Sequence, residues 1–182
     1  MEIFAPDRPD HLPQSLTAFL AGTIEMGTGE DWQKEVSLKL HHIFPDITVY
    51  NPRRKQWDNT IEQSIDNPVF AEQVNWEMDH LDQVDIVIFY FQPGTYSPIT
   101  LLELGSRAQA QVSWRQSGIE VPEDNIQKIF VCCPPGFWRK GNVEVVCARA
   151  NIPLFTNIDD MCESVRQHLQ PLSIDSWFAG KV

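Results

Sequence analysis

Apolar residues along the chain fall into short, near-continuous runs, separated by stretches in which they recur every three or four positions. The first run, residues 16–21, ends at Gly22 and reads as a buried strand. Trp32, Val36, Leu40 and Ile43 repeat at helical spacing until Pro45 and Asp46 interrupt them, and residues 47–50 form a second strand. Asn67-Pro68 opens a second helix, a capping residue followed by proline at the first helical position, and Phe70, Val74, Met78 and Leu81 form its apolar stripe. Residues 85–91 make the third and most hydrophobic strand, followed by a helix from Pro98 to about Gln116. Residues 128–133, 142–150, 153–155 and 158–169 read as strand, short helix, strand and final helix, the last with Ile158, Met161, Val165 and Leu169 facing the core.

Strands that alternate with helices and are apolar throughout predict a parallel sheet covered on both faces. Five such strands fit a flavodoxin-like (Rossmann-like), doubly wound α/β fold of three layers. Residues 1–15 read as an irregular arm and 16–182 as a single domain. Ligands then belong beyond the carboxyl ends of strands one and three, at residues 22–29 and 92–103. Residues 51–67 are polar and aperiodic, and read as a long functional loop.

Glu103 stands between Leu102 and Leu104 on the helix after strand three, where solvation alone would not place an acid. Ser97 is expected to cap that helix and Pro98 to pre-set its first turn. The helix N-terminus favours ionised Glu103, whereas its apolar neighbours favour the neutral form. The alternative is a surface glutamate on an amphipathic helix. The glycine-rich segment 22–29 follows a strand and precedes a helix, as a phosphate cradle does. It lacks the Lys-Ser/Thr pair of a Walker loop and has no G-x-G-x-x-G, so a tight turn explains it equally well. Asp79, Asp82 and Asp85 cluster before and at the start of strand three. The group reads as a solvated helix end and turn, Asp85 as a structural cap, and Asp79 alone is kept as a candidate substrate contact.

Arg53 and Arg54, with Lys55, form a basic cluster that suits an anionic ligand or pairs with surface acids. Trp57, Tyr90, Phe91 and Tyr96 are candidate surfaces for stacking a base, or parts of the core. The cluster is conspicuous because the formal net charge is −11, which argues against binding a nucleic-acid polymer but not a small nucleotide. The five histidines and four cysteines form no metal-ligand pattern, so neither metal nor cofactor is expected. No apolar run is long enough to span a membrane, no secretory signal is evident, and the cysteines read as reduced in a cytoplasmic protein.

Taken together, residues 19–24 (FLAGTI) with Asp31-Trp32, Asn51-Pro-Arg-Arg54, Val84-Asp85, residues 97–105 (SPITLLELG) and Lys140-Gly-Asn-Val143 resemble the nucleoside 2-deoxyribosyltransferase superfamily. The resemblance implies cleavage or transfer of a 2-deoxyribosyl group at an N-glycosidic bond, with Glu103 as the nucleophile that forms a glycosyl-enzyme intermediate. It places Gly22 and Thr23 along the sugar or base pocket. The family's transferases carry an aspartate six residues before the nucleophile, where this chain has Ser97. Serine there resembles the branch of deoxynucleoside 5′-monophosphate N-glycosidases, so Ser97 with Arg53 or Arg54 favours a nucleotide substrate. Asn142 resembles an asparagine that reaches a neighbouring subunit's site, implying a homo-oligomer with shared active sites. A non-catalytic nucleotide-binding or sensing module on the same fold is the alternative.

Overall fold

Ile86–Tyr90 places five consecutive side chains in the interior, which is possible only for a strand covered on both faces. The computed structural model describes residues 1–9, 11, 13–24, 30–54, 58, 60–120 and 126–169. Along them run β1 (Glu2–Phe4), β2 (Thr17–Gly22), α1 (Trp32–Ile43), β3 (Thr48–Asn51), α2 (Pro68–Gln83) and β4 (Ile86–Tyr90). α3 (Pro98–Ser117), β5 (Lys128–Cys132), α4 (Lys140–Ala150), β6 (Leu154–Phe155) and α5 (Ile158–Leu169) follow. All pairings are parallel, in the order β1-β3-β2-β4-β5-β6. Without β1, this is the order of a flavodoxin-like doubly wound sheet, with its switch point between β2 and β4. Helices α2, α3 and α4 cover one face, where Trp76, Leu104 and Val143 are buried. Helices α1 and α5 cover the other with Trp32, Val36, Leu40, Met161 and Val165.

The sheet has six strands rather than five, because the arm read as irregular contributes β1. Three residues are too few to register as a pattern. Their strand character comes from pairing Ile3 with Tyr50 on the edge of β3 and from burying Ile3 against the core. Asp85 is the structural cap expected of it: its carboxylate accepts from the backbone N–H and the hydroxyl of Thr17 at 2.8 and 2.7 Å, tying the starts of β2 and β4 together.

Two helical expectations change. Asn67 caps α2 as expected, accepting from Val69 and Phe70. Ser97, however, sits in the left-handed region at φ 44° and makes no side-chain cap to α3. That backbone turns its hydroxyl inward, to Thr23 at 2.5 Å and Thr95 at 3.0 Å. The apolar stripe of α2 also does not face the sheet as a whole. Gln73, Trp76, His80 and Leu81 make the buried face, whereas Phe70 and Val74 are half-buried and Met78 is exposed.

Candidate active site

The stripe displaced from the core has another use. Phe70, Val74 and Met78 on α2 face Ile99 and Leu102 on α3 across a cavity of about 640 Å³. Residues just beyond the carboxyl ends of β2 and β3, namely Ile24, Pro52 and Arg53, also line it. The cavity therefore opens where a doubly wound sheet places its ligands. Its walls are mostly apolar, with a few charged groups converging on them, as in small-molecule sites generally.

Glu103 lies on this wall in the second turn of α3, half-buried. The opposing influences on its charge have a winner: burial raises its pKa from 4.5 to about 8, the charge of Glu77 adds to the rise, and Arg107 opposes it. Glu77 lines the same cavity from α2. Burial raises it from 4.5 to about 7, against a hydrogen bond from Gln73 and the charge of Arg54. The site thus holds two carboxyls whose proton affinity burial raises, the charge of Glu77 adding to the rise at Glu103. Arg107 bridges to Asp82 at 2.6 Å at the side of the cavity away from the sheet's carboxyl edge, linking α3 to α2.

Of the residues singled out from sequence, Glu103, Arg53 and Arg54 meet in this cavity. Arg54 pairs with Glu72 at 3.1 Å and donates through Nε to Gln73 Oε1; Arg53 donates to the carbonyl of Glu30 at 3.4 Å. Gly22 and Thr23 are not on its wall. Gly22 allows a close approach, since a Cβ there would lie 2.5 Å from the Trp32 ring and 2.6 Å from the Tyr90 carbonyl oxygen. Thr23 is buried in the hydroxyl cluster with Thr95 and Ser97, a short distance behind the start of α3. Asp79 pairs with Arg8 at 2.7 Å on the exposed side of α2. Trp57, Lys55 and residues 25–29 of the glycine-rich segment lie outside the described residues. Tyr90 and Phe91 are core residues, and Tyr96 packs on Trp138 away from the cavity, so among the described residues Phe70 is the aromatic on its wall.

Asn142 lines a different cleft, of about 310 Å³, on the side of α3 that bears Leu101 and Leu104 and faces α4. Glu103 of the same chain faces the other way. The residues that sequence reasoning missed are Glu77, Gln73 and Arg107; Asp82, read as part of a solvated helix end, also lies on the cavity wall. Glu77 had a signal: it lies three residues after Val74 and four before Leu81, within the apolar stripe, as Glu103 lies among leucines.

The four cysteines are free and buried, with every thiol pushed up by desolvation, which disfavours the reactive thiolate. Among the described residues no cluster of histidine, cysteine and carboxylate side chains is arranged to hold a metal ion, and no helix is long and apolar enough to cross a membrane.

Comparison with known proteins places this architecture. A conserved protein from Enterococcus faecalis V583, known from its crystal structure, superimposes with a TM-score of 0.56 over 85% of this chain and 99% of its own, at 8% identity. At that identity the likeness is one of fold. None of the curated proteins compared with the chain matches it. The family described as "Nucleoside 2-deoxyribosyltransferase like" matches residues 15–120, which include β2, Arg53 and Arg54, Glu77 and Glu103. The chain belongs to the nucleoside 2-deoxyribosyltransferase-like family.

Proposed function

We propose that the protein cleaves or transfers a 2-deoxyribosyl group at the N-glycosidic bond of a nucleoside or nucleoside monophosphate, with Glu103 as the nucleophile. The observation that carries this reading is the pair Glu103 and Glu77, two carboxyls of raised proton affinity in one apolar cavity beside three arginines. In the first step ionised Glu103 attacks the anomeric carbon, the C–N bond breaks, and the base leaves with a proton from Glu77. In the second, water or another base attacks the same carbon, the bond to Glu103 breaks, and Glu77 takes up the proton that the acceptor loses. Two inversions give net retention. Burial makes protonated Glu77 available near neutrality, which an exposed glutamate is not.

Arg53 and Arg54 on the cavity wall favour a nucleotide over a free nucleoside, through charge-assisted bonds to phosphate. Ser97, the other residue behind that preference, has its hydroxyl engaged by Thr23 and Thr95, so its contribution is to shape the start of α3. Self-association is supported by Tyr96, Ile99, Leu102, Trp138 and Val145, large apolar side chains left exposed on and beside α3 and α4. By the family resemblance, a second copy would contribute its Asn142 to the site. Buried thiols with no disulfide among them fit a reducing, cytoplasmic setting.

The test is chromatographic. Deoxynucleosides and their 5′-monophosphates are incubated with the protein, with and without an acceptor base, and free or exchanged base is measured. Base release that Glu103→Ala abolishes is expected; equal release by that variant overturns the reading. A non-catalytic nucleotide-binding module is the second reading, favoured by one fact: Glu103 raised to about 8 is largely neutral at pH 7. In that case nucleotides raise the melting temperature without being consumed, and Glu103→Gln preserves the rise.

A further inference from the structure

Gln73 is a buried polar side chain, and the cavity wall accounts for every hydrogen-bonding group of its amide. Nε2 donates to the carbonyl of Pro52 at 3.0 Å and to Oε1 of Glu77 at 2.6 Å, while Oε1 accepts from Nε of Arg54. The amide cannot be flipped, because its oxygen would then face two acceptors and its nitrogen a guanidinium donor. Pro52 fixes the amide to the end of β3, Arg54 to the loop after it, and Glu77 to the third turn of α2.

We propose that Gln73 is a positioning residue for the Glu77–Glu103 pair: its amide determines which oxygen of Glu77 is left to exchange a proton, and ties that carboxyl to Arg54. With Oε1 committed as an acceptor, the proton of neutral Glu77 belongs on Oε2. The clamp also favours charged Glu77, as does Arg54, whereas Arg107 favours charged Glu103 from the other wall. The remaining charged groups on the cavity among the described residues are Arg53 from the loop after β3 and Asp82 from α2, the latter paired with Arg107. Gln73 and Arg54 therefore offset the burial of Glu77, and keep its proton affinity close enough to that of Glu103 for one proton to pass between base and carboxyl in either step. This deepens the proposed function, and rests on it for its kinetic consequence alone.

The experiment follows the carboxyl resonance of Glu77 by NMR in protein carrying 13C-labelled glutamate, with Glu77→Gln to identify the signal. Its titration midpoint is measured in the wild-type chain, in Gln73→Met and in Arg54→Met, with far-UV circular dichroism to establish folding. Both variants are expected to raise the midpoint by at least about half a pH unit, since each loses an interaction with the charged form. An unmoved midpoint in folded Gln73→Met overturns the proposal. If Gln73→Met does not fold, an unmoved midpoint in Arg54→Met overturns it. On nucleotide substrate, the alkaline limb of kcat/KM in Gln73→Met is expected to move up with the midpoint while KM is held; lost kcat at an unmoved limb indicates a merely structural role and overturns it. A moved midpoint in a protein that releases no base sinks the proposed function and leaves the clamp standing.

Discussion

Replacing Glu103 by glutamine should make the fold more stable while ending catalysis, and only on the alkaline side. In the folded chain Glu103 holds its proton up to about 8, against 4.5 for an ordinary glutamate. Between those values the folded state binds more protons than the unfolded state, so stability falls as pH rises through the interval, and the full cost is present above it. The gap of 3.5 (8 − 4.5) corresponds to about 5 kcal/mol at 1.36 kcal/mol per unit of pKa. Glu77 contributes part of the rise and the carboxyl borders an open cavity, so about 2 kcal/mol is the expected net effect. Glutamine keeps the shape and removes the charge. Glu103→Gln should therefore melt about 4–8 °C above the wild type at about pH 9, and within a degree or so of it at about pH 4.5. Differential scanning calorimetry at the two pH values measures this. A melting difference of the same size at both would show that burial of the charge is not what costs the wild type stability, and would refute the argument.

Activity should follow the pair: with Glu77 raised to about 7 and Glu103 to about 8, base release should peak between those values and fall roughly tenfold per pH unit beyond them. A plateau extending down to pH 5, read from initial rates, would rule the pair out. Arg107→Met removes the cation that opposes the rise of Glu103, so kcat at pH 7 should fall roughly tenfold relative to the wild type, and the ratio of variant to wild type should approach one as pH is raised. A pH-independent loss would count against it. Thr23→Val breaks a buried hydroxyl cluster bonded to Ser97, Thr95 and the N–H of Gln92, and should cost about 1–3 kcal/mol in urea unfolding. A loss below about half a kcal/mol would mean that the cluster is not holding the start of α3. Leu102→Glu, at a side chain 70% exposed, should convert a self-associated form to monomer in analytical ultracentrifugation without lowering the melting point of the monomer. An unchanged sedimentation coefficient would place any interface elsewhere.

The central strands β2, β4 and β5 were legible because burial on both faces writes itself as unbroken apolar runs, as in Ile86–Tyr90. The edge strand β1 was not, because its three residues owe their conformation to β3 and to nothing in their own pattern. Glu103 could be found because a charge among leucines contradicts the local rule. Glu77 broke the same rule less visibly, on a helix that also carries Glu72, Asp79 and Asp82 at ordinary exposed or paired positions. Gln73 is out of reach of pattern reasoning altogether, since its meaning lies in three partners separated from it by 4 to 21 residues. Ser97 was misjudged for a backbone reason: it is left-handed rather than extended as a capping residue typically is, and its hydroxyl bonds Thr23 and Thr95 instead.

Helix α2 divides its labour between two surfaces. Trp76 and His80 hold it to the sheet, packed against Tyr50 at ring distances of 6.2 and 4.0 Å, while Phe70, Val74 and Met78 look into the cavity. Anchoring and choosing are thus assigned to different residues of one element. Exchange among apolar side chains at the second set reshapes the cavity with little disturbance of the first. A lineage that inherits this helix can explore new ligands without first loosening the scaffold, and a library confined to those three positions would retrace that freedom in the laboratory.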